Sequence, residues 1–329
     1  MNVNRRTVIL LVIAVVVIGG VYTITWWQRA RETDRLVSEM QSPDHGPATE
    51  AITSLRDRVP SIRDRLITLM QHTDPIVRRR AAVLLAELDD ADSRDALVAA
   101  LNDDAATVRA EAAIALGRRS EIAAADRLAL MAAADEEAVG VRTAAMQALR
   151  RLRTTTYLAE AIAIAEDRPP PPPPDEDDDD EEEDDAEEYE DATMLLRQEA
   201  VYAIAALTPR RPTEADIADY TAGDAVMTLA ESTDPDLEPS SEVRRAACYA
   251  LGDLVTRVGD EEVRRSAVRA LLGAMEDEVG DVRIAAAHTV RMVPVPSGLR
   301  DRVDRALAAA EDDDHYWVRR VAEEAVRGG

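Results

Sequence analysis

Lysine and phenylalanine are absent from this chain, and cysteine occurs once, at Cys248. A single thiol cannot close an internal disulfide, so no covalent brace contributes to the fold. Without lysine a phosphate-binding G-x-x-x-x-G-K loop is impossible, and neither G-x-G-x-x-G nor G-x-S-x-G occurs. The four histidines, His45, His72, His288 and His315, never stand at the H-x-x-x-H spacing that brings two metal ligands onto one helical face. No catalytic, cofactor or metal site is therefore expected, and the chain reads as a non-enzyme. All 39 basic residues are arginine, and against 65 acids they leave a net charge of −26. With no net basic surface to displace phosphate counterions, nucleic acid is not an expected partner. Such a composition resembles that of salt-adapted proteins, although a GC-biased genome produces the same pattern.

What the chain does have is repetition. Seven stretches begin with an aliphatic residue followed by arginine: Val77-Arg78, Val108-Arg109, Val141-Arg142, Leu196-Arg197, Val243-Arg244, Val282-Arg283 and Val318-Arg319. An alanine follows three residues after each arginine (Ala81, Ala112, Ala145, Ala200, Ala247, Ala286, Ala322), and an aliphatic residue four further on (Leu85, Leu116, Leu149, Ile204, Leu251, Val290, Val326). Apolar marks at i, i+4 and i+8 make one stripe of an α-helix. Alanine at its centre lets a neighbouring helix approach closely. Acids precede most copies (Asp74, Asp104, Glu136, Asp191, Asp277, Asp313), where they are expected to cap the helix. Second helical patterns lie between copies, at Arg94–Leu101, Ile122–Met131, Tyr157–Ala165 and Glu262–Met275, so each unit reads as helix, turn, helix.

The phrases DPIVRRRAAVLLAEL, DDAATVRAEAAIALG and SSEVRRAACYALGDL resemble the second helix of HEAT repeats, in particular the HEAT-like repeats of the phycobilisome-lyase type. The resemblance covers residues 46–329. It implies an all-α, right-handed solenoid of about seven helix pairs whose second helices line the inner surface. It also implies an acid-to-arginine ladder between successive turns, carried by Arg78, Arg109, Arg142, Arg197, Arg244, Arg283 and Arg319. Solenoids of this kind serve mostly as interaction scaffolds, while the lyase branch implies the alternative of an enzyme or accessory factor in cofactor attachment.

Ahead of the repeats, residues 8–27 form an uncharged, mostly aliphatic run, Val8 to Trp27, long enough to cross roughly 30 Å of hydrocarbon. The expected order is a tail at 1–7, a transmembrane helix at 8–27 in contact with the lipid bilayer, a juxtamembrane linker at 28–45 and the solenoid. A cleaved signal peptide is the rival, but no small-x-small cleavage site follows the run. A single-pass protein of the cell membrane results. Its orientation stays open, since Arg5 and Arg6 on one side face Arg29, Arg31 and Arg35 on the other.

Pro169 to Pro174 and the run Asp175 to Asp191, in which 15 of 17 residues are acidic, interrupt the fourth unit. Stiff prolines and self-repelling carboxylates predict a disordered loop over 167–192, either inert or reaching for a basic protein partner. His315-Tyr316-Trp317 is the one aromatic cluster outside the apolar run. It reads either as a lid on the end of the core or, through Tyr316 and Trp317, as a contact for a partner.

Overall fold

The computed structural model describes residues 23, 25, 27–134, 137–153, 155–168, 183–208 and 221–328. Among them every regular element is helical. The chain divides into two units, residues 1–100 and 101–329.

In the first unit, α1 (27–40) is followed by α2 (His45–Leu55), α3 (Val59–Leu69), α4 (Pro75–Leu85) and α5 (Ala91–Ala100). α4 shows why its residues choose a helix. Asp74 stands at the N-cap with its carboxylate accepting the Ile76 N–H, and Pro75 occupies the first turn, where its missing N–H costs nothing. Val77, Ala81 and Leu85 then point into the core with almost no exposure. α1 is not the linker expected over 28–45: Leu36, Val37 and Met40 are buried, because their spacing puts them on one helical face. Arg80, itself buried on α4, donates to the carbonyls of Met40 and Ser42 and ties α1's end to α4.

The second unit runs α6 (Ala106–Arg118), α7 (Ala125–Ala133), α8 (Val139–Leu152), α9 (Leu158–Glu166), α10 (Glu183–Leu207), α11 (Ala222–Glu231), α12 (Ser241–Arg257), α13 (Glu261–Ala274), α14 (Gly280–Met292), α15 (Arg300–Ala309) and α16 (Tyr316–Gly328). The even-numbered helices pack side by side in chain order as one layer, with the odd-numbered helices against them. Helices stacked in this way resemble a solenoid. Every stripe alanine from Ala81 to Ala322 is fully buried, as is Cys248, whose thiol burial pushes up to about 12. Gly117 shows how close the layer is packed: a Cβ there would lie 2.7 Å from the Ala148 Cα, inside the contact distance of any side chain.

The expected loop over 167–192 differs from the structure at its end, because Glu183 to Asp191 belong to α10. Glutamate and alanine are good helix formers, and carboxylates in the first turns are stabilised by the positive end of the helix dipole. Residues 169–182 lie outside the described residues. So does nearly all of the apolar run at 8–27; no helix among the described residues is long and apolar enough to cross a membrane.

Candidate functional site: the face of the second helices

The repeat arginines are positioned by the turns that precede their own helices. In α4, α6, α12, α14 and α16 the Nη1 group of Arg78, Arg109, Arg244, Arg283 or Arg319 donates to the two carbonyls five and six residues earlier. The rest of the guanidinium reaches forward. Arg109 pairs with Glu137, Arg197 with Glu238, Arg244 with Asp277 and Arg283 with Asp313. The Arg244–Asp277 contact is two-pronged, at 2.8 and 3.1 Å, with both side chains 2 % exposed or less. Arg142 instead donates to the Ala132 carbonyl.

Asp74 caps its helix as expected, but the acids farther along the chain sit differently. Asp277 and Asp313 do not cap helical N–H groups; each accepts from the residue two ahead, Val279 and His315, and so fixes the turn while its oxygens receive the arginine. Glu238 does the same for Ser240. Asp103, rather than Asp104, holds the Ala105 N–H, and Glu137 meets Arg109; Glu136 lies outside the described residues. Asp191 lies inside α10. The carboxylate therefore stands one or two residues ahead of the N-cap, where it serves two repeats at once. The Arg109 guanidinium bonded to Glu137 holds that carboxyl below the usual range, and burial opposes it. Burial is the largest influence on Asp313 and pushes it up, but the hydrogen bonds from Arg283, the His315 N–H and Asp314 together with the Arg283 charge outweigh it, and the net shift is downward.

With the arginines committed to turns, the solvent face of the second helices is left to other residues. Five positions after the ladder arginine come Gln147, Tyr202, Tyr249 and His288, on α8, α10, α12 and α14 in succession. Tyr249 and His288 meet edge to face with ring centres 6.5 Å apart, and the Arg150 guanidinium lies 5.4 Å from the Tyr202 ring centre. This ridge escaped sequence reading, because its members are separated by insertions and a chain so poor in aromatics draws attention only to adjacent ones. The lid expected of Tyr316 and Trp317 is not formed: both rings are 58 % exposed and stacked edge to face, 5.0 Å apart. The end of the core is closed instead by Ala310, Val318 and Ala322 with Met275 and Ile284. His315 packs against Gly280. Among the described residues no group of histidine, cysteine and acidic side chains is arranged to hold a metal ion.

A family model of HEAT repeats matches residues 33–117, 62–150 and 236–327. The chain belongs to the HEAT-repeat family. The match begins inside α1, in keeping with the packing of that helix. HEAT-like architecture also relates the chain to solved structures at low identity. It is similar to YibA of Escherichia coli, at 16 % identity and a TM-score of 0.55 over 89 % of this chain and 92 % of that one. It is similar to importin beta at 14 % identity and a TM-score of 0.53, over 91 % of this chain and 40 % of that one. The complex of CpcE and CpcF of phycocyanin lyase from Nostoc sp. PCC7120 aligns at 18 % identity and a TM-score of 0.44, over 80 % and 92 % of the two chains. No curated protein sequence matches the chain.

Proposed function

We propose that this HEAT-repeat protein is a non-catalytic scaffold, held at a membrane by residues 8–27, whose second-helix face and exposed end recruit another protein. The observation that carries the reading is the division of labour among side chains. The ladder arginines Arg109, Arg197, Arg244 and Arg283 are tied up in ion pairs with the next repeat, and aromatic surface at Tyr202, Tyr249, Tyr316 and Trp317 is presented on stacked helices. Tyrosine and tryptophan on a rigid support lose little conformational entropy on contact, which suits them to a protein interface. The anchor rests on the length and apolarity of the run from Val8 to Trp27. The acidic run at 175–191 adds a polyanionic element suited to a basic surface on the same partner.

Membrane fractionation followed by affinity capture from detergent extracts tests both halves. The full chain should remain in membranes through a carbonate wash and, after solubilisation, return a partner protein in stoichiometric amount. Release by the wash, or a mature chain starting after residue 27, overturns the anchor. Capture that returns a bound small molecule with no stoichiometric protein overturns the scaffold.

A further inference from the structure

Between the C-terminal halves of α8, α10 and α12 lies an open groove of about 520 Å³, lined by Arg150, Arg151, Arg153, Tyr202, Tyr249 and Asp253 among others. It is a locally cationic, aromatic site on a chain with 26 more acids than bases. Two of its charges are already answered: Arg150 pairs with Glu199 at 3.1 Å, and Asp253 with Arg257 at 3.2 Å. Arg151 and Arg153 are exposed and make no ion pair among the described residues. Arg153 is held in the left-handed backbone region (φ 54°), with its N–H on the Leu149 carbonyl, so its side chain leaves the helix end at a fixed place. The plain reading of these arginines is that they complement the negative end of the α8 dipole. That reading accounts for charge at the terminus of α8, but not for two tyrosines from the next two helices converging on the same groove.

We infer that this groove binds an extended acidic segment of a partner protein, with carboxylates on Arg151 and Arg153 and an aromatic or aliphatic side chain against Tyr202 and Tyr249. The inference rests on the scaffold reading and names the partner chemistry at one part of the second-helix face. Neighbouring helix axes are roughly 9 Å apart, about three residues of extended chain, so a segment crossing α8 to α12 would place its apolar residue some three positions from its acids. The protein's overall charge does not forbid this, because at physiological ionic strength it is screened over about 8 Å and the groove's own arginines dominate at contact.

The test is fluorescence anisotropy on the full chain in detergent, using a fluorescein-labelled peptide of aspartate and glutamate with one tyrosine. A lysine-rich peptide, an oligothymidylate and anionic lipid vesicles serve as competing probes. Saturable binding of the acidic peptide, weakened about tenfold or more by R151Q/R153Q and several-fold by Y249A at unchanged melting temperature, supports the inference. Y249F, which keeps the ring, should retain most of the affinity. Binding untouched by both R151Q/R153Q and Y249A overturns it, as does R151Q/R153Q-sensitive binding of oligothymidylate or vesicles without binding of the peptide. Partner capture separates the two readings. If R151Q/R153Q recovers the membrane partner as well as the parent does, the inference falls and the scaffold stands; if the groove binds peptide but the parent recovers no partner, the scaffold falls and the inference stands.

Discussion

Arg244 and Arg197 occupy the same place in adjacent repeats and hold different things. Arg244 is fully used, with two hydrogen bonds to Asp277 and two to the carbonyls of Glu238 and Pro239. Arg197 lies within a helix that begins at Glu183, so the turn carbonyls its counterparts grip are absent; its bonds to Glu238 are 3.3 and 3.4 Å and its buried Nη1 has no acceptor among the described residues. Removing one partner of a well-made buried pair strands the other, at about 3–5 kcal/mol. R244M is therefore expected to lower stability by that amount in chemical denaturation, and R197M by distinctly less; equal losses would mean that the carbonyl contacts contribute nothing. The ladder also sets a pH dependence. Glu137 and Asp313 have folded-state pKa values below the ordinary range, so their pairs stabilise the fold above the unfolded carboxylate pKa, roughly 4. That contribution is lost as pH falls through the still lower folded values. Denaturation midpoints should drop on acidification from about pH 4 downward, and E137Q should flatten that slope while starting from a less stable protein at neutral pH.

At the scale of the element, α10 is where sequence and structure part company. Repeat helices were legible because each carries its own local signature, the aliphatic-arginine pair and the buried alanine, and all seven of those alanines are indeed buried. Their partners were less so: α11 and α15 share no side-chain pattern with the other first helices, since that layer is asked only for one apolar face. Asp277 and Asp313 are legible as acids ahead of their helices but not as ladder partners, because a capping carboxylate and a turn-holding carboxylate look alike until the arginine of the previous repeat is seen beside them. The tyrosine ridge needed equivalent positions to be aligned across insertions of unequal length. As for the proline-acidic insertion, replacing residues 169–182 with a short Gly-Ser turn should leave the far-ultraviolet circular dichroism and the melting temperature nearly unchanged, because loop closure depends weakly on length. A loss of several degrees would show that the segment braces α9 against α10. Recovery of a basic partner, in contrast, should fall when the full acidic run is removed, and fall further in the parent as salt is raised.

For the whole molecule, the proposed scaffold role predicts that aromatic rings presented in the midst of fixed ion pairs are covered by a partner. Tyr316 and Trp317 at the last repeat helix are an example: burying two such rings removes large apolar area, while their T-shaped contact already fixes their orientation. On the proposed function, the protein works by holding a partner at the membrane. The most direct measurement is quantitative affinity capture of the full chain from detergent-solubilised membranes, comparing the parent with Y316A/W317A and with Y249A, all three at matched melting temperature. The account predicts one protein recovered in stoichiometric amount by the parent and reduced several-fold or more in at least one of the two variants. Equal recovery by all three, or no stoichiometric protein with the parent, would contradict it.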